Sequence, residues 1–66
     1  MITILVPIYN ELGNISKFVN EVTQILKNYN HTIIFVDDNS NDGSIQELEK
    51  LKRKNSNVKY IKRQNK

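Results

Sequence analysis

Two kinds of apolar spacing alternate along the chain. Ile2 to Ile8 (ITILVPI) is a dense aliphatic and β-branched stretch. It meets Pro7, which cannot donate to a sheet ladder, so the pattern predicts a buried strand ending near Pro7. From Asn14, a residue type suited to a helix N-cap, the spacing changes. Ile15, Phe18, Val19, Val22, Ile25, Leu26 and Tyr29 recur every three or four positions, which is one stripe of an amphipathic helix. Asn28, Asn30 and His31 interrupt the stripe. Thr32 to Val36 (TIIFV) is a second continuous apolar run and predicts a second strand. Asp37 to Gly43 (DDNSNDG) consists of turn-forming residues throughout. Ile45, Leu48 and Leu51 outline a thinner helix, Asn55-Ser56-Asn57 closes it, and Val58 to Ile61 predicts a short third strand.

The expected order is therefore β-α-β-α-β. Strands joined through helical crossovers pair in parallel, and two crossovers running in one direction place both helices on the same face of the sheet. Yet the first two runs are apolar at consecutive positions, as in strands covered on both faces. The second face is expected to need a cover, either a missing C-terminal portion or a partner.

Sixty-six residues make one small domain at most, and chains of this size bury only ~60% of their unfolded surface. With no cysteine, neither disulfides nor a thiolate zinc site adds stability, and the single His31 cannot build a histidine metal cluster. The apolar runs fall far short of the ~20 residues needed to cross a bilayer. Met1-Ile2-Thr3 carries none of the basic residues that open a secretory signal. The expected location is cytoplasmic, at the cytoplasmic face of a membrane if the intact protein associates with one. The net charge of +3 divides sharply: all seven acids lie in residues 1–49, whereas residues 50–66 hold eight basic residues and no acid.

Ligands of open parallel sheets bind beyond the carboxyl ends of the strands. The first strand leads into Pro7-Ile8-Tyr9-Asn10-Glu11 and the second into Asp37-Asp38-Asn39-Ser40. Neighbouring strands lie ~4.8 Å apart, so the two ends are expected to form one site. Tyr9 supplies a ring that can stack on a base. Glu11, Asp37 and Asp38 supply carboxylates that accept hydrogen bonds from ribose hydroxyls and base N–H groups but repel bare phosphate. Duller roles exist for several of these. Pro7 can close a strand, Tyr9 can cap the core edge, Glu11 suits the first turn of a helix, and Asp42-Gly43-Ser44 suits a turn feeding one. The Asp37-Asp38 pair is harder to account for structurally, because adjacent carboxylates repel.

The motif P-I-Y-N-E at Pro7 to Glu11 resembles the opening of family 2 glycosyltransferases. Phe35 to Ser44 (FVDDNSNDGS) is similar to that family's V-D-D-x-S-x-D-G-[ST] segment. The look is closest to the branch of dolichyl- and polyprenyl-phosphate sugar transferases. The resemblance spans residues 1–66 but only the N-terminal, nucleotide-binding part of the family's catalytic domain, so the chain is expected to be a truncated domain. It implies a partial GT-A, Rossmann-like α/β fold with a three-stranded parallel sheet, and a nucleotide-sugar donor such as a UDP- or GDP-sugar. It names a polyprenyl phosphate as a candidate acceptor. By position, Pro7 and Tyr9 line the base pocket, Glu11 contacts base or ribose, and Asp38 and Asp37 hydrogen-bond base or ribose. The resemblance also implies a divalent metal, Mg or Mn, whose D-x-D ligands have no counterpart here, and no catalytic base is present. Arg63-Gln64-Asn65 resembles the start of the family's next motif. The segment is thus expected to recognise a donor nucleotide and to be inactive alone.

Two rivals belong to other classes. Asp38 to Glu49 can be laid over a calcium-binding EF-hand loop, with Asp38 first, Asp42 fifth, Gly43 sixth and Glu49 twelfth. That motif needs an entering helix where Thr32–Val36 reads as a strand. The basic tail (Lys50, Lys52, Arg53, Lys54, Lys59, Lys62, Arg63, Lys66) could neutralise nucleic-acid phosphates, but Tyr60 is the only aromatic among them and no known nucleic-acid motif appears. Nucleic acid is accordingly not expected as a partner.

Overall fold

The computed structural model describes residues 1–63. The elements are β1 (Ile2–Ile8), α1 (Leu12–Ile25), β2 (His31–Asp37), α2 (Ser44–Lys54) and β3 (Val58–Lys62). The sheet is parallel, in the order β1-β2-β3. This is the β-α-β-α-β arrangement expected from the spacing of apolar residues.

Register assigns the two faces. Ile4, Val6 and Ile8 lie level with Ile33, Phe35 and Asp37, and Val58 and Tyr60 continue these rows on β3. Against this face pack Ile15, Val19, Leu48 and Leu51, with Phe18, Val22 and Ile45 at the margin. Residues of both helices therefore share one core on one side of the sheet. Ile33, Phe35 and Leu48 are sealed from solvent, and Phe18 meets the Phe35 ring edge-on at a centroid distance of 6.1 Å. The alternate positions form the other face: Thr3, Leu5 and Pro7, then Thr32, Ile34 and Val36, then Lys59 and Ile61. Leu5 is 65% exposed and Ile61 is 55% exposed. Continuous apolar runs in β1 and β2 thus reflect one packed face and one bare face.

β1 ends at Ile8, close to Pro7 as expected, with Pro7 itself in the strand and level with Val36. Proline is tolerated because β1 is an edge strand, where one side of the backbone needs no partner. α1 begins at Leu12 rather than after an Asn14 cap; Asn14 lies in the first turn, its backbone N–H donating to Glu11 O at 2.8 Å. At its far end α1 stops at Ile25, so Ile25 and Tyr29 are 75% and 63% exposed despite fitting the helical stripe. The chain must turn there to seat Asn30, whose carbonyl accepts the Ile2 N–H at 3.0 Å and starts the β1–β2 ladder. The match between Arg63-Gln64-Asn65 and a family motif falls largely outside the described residues, as does Lys66.

A core this small leaves little redundancy. Phe35→Ala is expected to cost about 3–5 kcal/mol and Ile33→Ala about 2–5 kcal/mol, enough to unfold most of the protein. Leu5→Ala, of the same chemistry but on the bare face, is expected to change stability by less than ~0.5 kcal/mol. Urea unfolding followed by circular dichroism distinguishes these; a Leu5→Ala loss as large as that of Ile33→Ala would contradict the one-sided core.

Candidate functional site

The carboxyl ends of β1 and β2 stop at the same level, since Ile8 lies opposite Asp37. The two loops that follow are tied together. Asp38 N–H donates to Ile8 O at 3.0 Å, extending the ladder one step beyond the strands. Asn10 N–H donates to Ser40 Oγ at 2.7 Å, and Asn41 N–H donates to Asn10 Oδ1 at 2.9 Å. Farther out, Leu12 N–H donates to Asp42 Oδ2 at 3.1 Å, across thirty positions of sequence. That long-range bond caps α1, because the Glu11 side chain makes no capping bond of its own. The other oxygen of Asp42 accepts from the Ser44 N–H at 3.0 Å and the Ser44 hydroxyl at 2.5 Å, which fixes the entry to α2. One carboxylate therefore holds the starts of both helices. Gly43 between them has φ +96°, a conformation that favours glycine, while a β-carbon there would meet only ordinary contact with the Leu12 side chain.

Where the loops meet, Tyr9, Asp38, Asn39 and Asn41 line an open depression of about 350 Å³. Tyr9 is exposed, and Asp38 is half-buried with Oδ1 enclosed and without a hydrogen-bond partner among the described residues. Tyr9 and Asp38, expected from sequence to share a site, are thus brought together. Pro7 and Glu11 line a different hollow, a mainly apolar slot of about 220 Å³ between β1 and α1, together with Phe18 and Phe35. Asp37 is fully buried at the end of β2, and its Oδ2 accepts the Ser40 N–H at 2.8 Å. Asp37 and Asp38 are therefore not equivalent. Strand alternation turns the first inward, where it anchors the loop, and leaves the second at the depression. This gives the pair the structural role that sequence reasoning had not found for it.

Asn39 and Asn41 were not singled out as site residues, nor were Asn10 and Ser40 identified as organisers of the loops; Asp42 was expected in the turn feeding α2, where it lies, but not as the acceptor at the start of α1. The usable signal was the density of Asn and Asp around two strand ends, since these residues accept backbone N–H bonds and tolerate left-handed conformations.

The calcium-loop reading is excluded by this geometry. The segment before Asp38 is strand β2, not a helix. Asp42 is committed to Leu12 and Ser44, and Glu49 accepts the Tyr60 hydroxyl. Among the described residues no group of three or more His, Cys, Asp or Glu could hold a metal ion. The basic residues of the tail are dispersed: Lys50, Lys52, Arg53 and Lys54 lie on α2, whereas Lys59 lies on the bare sheet face. No helix of the described residues is long and apolar enough to cross a membrane.

Comparison with known proteins is consistent with this architecture. The family model "Glycosyl transferase family 2" matches residues 3–66. The chain is 35% identical over 63 residues to "Putative glycosyltransferase CsbB" of Bacillus subtilis (strain 168), a match covering 92% of this chain and 19% of that protein. The chain therefore spans about a fifth of the length of the curated relative it matches. No solved structure matches.

The hydrogen bond from the Ser44 hydroxyl, the largest influence on Asp42, helps hold its carboxyl below the ordinary value of 3.8. A lowered folded-state pKa means that the stabilisation by ionised Asp42 is complete above 3.8 and is lost as pH falls through the folded value. Wild type is expected to melt higher than Asp42→Asn at pH 5, with the gap closing as pH is lowered below about 3.8. Thermal melts of both proteins across that window test this; a gap that stays constant would remove Asp42 ionisation from the account.

Proposed function

Since the chain belongs to glycosyl transferase family 2, we propose that its paired strand ends hold the nucleoside of a nucleotide-sugar donor, a UDP- or GDP-sugar. The β-α-β-α-β arrangement is consistent with a partial GT-A fold. The observation that carries the reading is the shared depression: Tyr9 and Asp38, from two separate motifs, line one hollow at the carboxyl edge of a parallel sheet. Tyr9 offers an exposed ring face for the base. Asp38, half-buried at the edge of the depression, offers a carboxylate that can accept from a base N–H or a ribose hydroxyl. Asn39 and Asn41 add amides that both donate and accept. Pro7 and Glu11 line the separate slot between β1 and α1, and Asp37 anchors the turn that carries Asp38.

The family's chemistry also calls on a divalent metal, Mg or Mn, to neutralise the leaving diphosphate. The described residues do not fit such a site, having no cluster of three candidate ligands. On this reading the chain is the donor-nucleotide segment of a larger catalytic domain. Sugar transfer, to a polyprenyl phosphate or another acceptor, belongs to that larger unit.

Two outcomes test the proposal. Tyr9→Ala and Asp38→Ala are each expected to weaken UDP or GDP binding by about tenfold or more while leaving the circular dichroism spectrum unchanged. Titrations of isotope-labelled protein followed by NMR measure this, and wild-type affinity in both variants would show the site to be misassigned. The purified chain, given UDP- or GDP-sugars with Mg²⁺ or Mn²⁺ and a polyprenyl phosphate, is expected to transfer no sugar. Radiolabelled product from the chain alone would place the catalytic groups within these residues.

A further inference from the structure

Tyr9 and Asp38 share a local feature. Each is followed by an asparagine in the left-handed region, Asn10 at φ 51° and Asn39 at φ 67°. Residues with a β-carbon enter this region at a cost, asparagine at one of the smallest, so surrounding bonds must hold them there. Those bonds form a connected chain. Asp37 Oδ2 accepts the Ser40 N–H at 2.8 Å and so spans the turn that carries Asp38 and Asn39. Ser40 Oγ accepts the Asn10 N–H at 2.7 Å, and Asn10 Oδ1 accepts the Asn41 N–H at 2.9 Å.

The chain Asp37–Ser40–Asn10–Asn41 thus crosses from one turn to the other and back. Neither Tyr9 nor Asp38 is a member, yet each is bonded in sequence to one. Its inner half is dry, Asp37 being 0% and Ser40 8% exposed, so water competes little for these bonds. Apart from this chain, the core, the Asp38–Ile8 bond and the Leu12–Asp42 bond also tie the elements together. The Ser40 hydroxyl links the backbone just after Tyr9 to the turn carrying Asp38.

We infer that Ser40, seated by Asp37, is a positioning residue for nucleoside recognition, setting the Tyr9 ring and the Asp38 carboxylate at a fixed separation. The inference rests on the nucleoside reading of the depression given above. Ser40 need not touch the ligand; its effect passes through Asn10 to Tyr9.

The test combines amide hydrogen exchange with titration of isotope-labelled protein, using UDP and GDP as the probes. Ser40→Ala is expected to speed exchange of the Asn10 amide at least ~10-fold and to weaken nucleotide binding by about tenfold, with little change in melting temperature. Asp38→Ala is expected to weaken binding without altering exchange at Asn10, which separates direct contact from positioning. Should Ser40→Ala melt too early for titration, Ser40→Cys interrogates the same link. It fills nearly the same space but replaces the hydroxyl acceptor of the Asn10 N–H with a weakly accepting thiol, and the same loss of affinity is expected. Wild-type affinity in either variant overturns the inference and leaves the nucleoside reading intact. If the wild-type protein binds neither UDP nor GDP, that reading fails and the inference fails with it.

Discussion

Parallel pairing of β1 with β2 places Ile8 opposite Asp37, so both strands end at one level and their following loops emerge side by side. The rest of the candidate site depends on this register. A slip of one residue would invert the inward and outward positions of a whole strand. Ile8 would then leave the core, and Tyr9 and Asp38 would no longer line the same hollow. Register is secured at both ends of the ladder, by Ile2 N–H on Asn30 O below and Asp38 N–H on Ile8 O above, and between them by apolar residues that must face the helices. The same burial that holds the sheet together therefore also sets the geometry of the depression.

The fold achieves this with packing on one side only. Both helices lie over the row containing Ile33 and Phe35, while Leu5 and Ile61 stand exposed on the reverse. The arrangement leaves the loops above the strands to be held mainly by polar bonds. Asp37, Ser40 and Asp42 supply these, each accepting a backbone N–H that would otherwise lack a partner. Backbone groups at a strand-to-helix transition cannot be satisfied by the ladder or by the helix, so short side chains with oxygen acceptors are the local solution. This requirement explains why the stretch from Asp37 to Ser44 is almost wholly polar although Ser40 and Ser44 are buried.

Much of the element order was legible because the switch between continuous apolar runs and three-to-four spacing is a direct consequence of backbone geometry. Local rules failed where the deciding interaction was not local. Asn14 resembles a cap, but the leading N–H of α1, that of Leu12, is met by Asp42, thirty residues away. Ile25 and Tyr29 fit the helical stripe, yet the chain turns before they reach the core, since the return to β2 sets the helix length. The coincidence of Tyr9 and Asp38 was legible from topology alone, because parallel neighbours must end on the same edge. Their division from Asp37 was less so. Two adjacent carboxylates look alike in sequence, and only the pleat sends Asp37 inward to anchor a loop.

The composition of the depression bears on how much of a donor such a segment could hold. Among the described residues its lining of Tyr9, Asp38, Asn39 and Asn41 contains a carboxylate and no cation, so it suits a neutral base and ribose better than a phosphate. On the proposed reading, stacking on one exposed ring contributes roughly 1–3 kcal/mol and a hydrogen bond to the carboxylate about 1.5–3 kcal/mol. Association costs a substantial part of that gain in lost translational and rotational freedom. The balance lies at or below the ~4 kcal/mol of a millimolar complex. A hollow open to solvent on one side adds little further burial. The nucleoside contacts of this segment would then select and orient a donor more than retain it. Tight retention would come from groups that meet the diphosphate, and those groups are not among the residues lining this hollow.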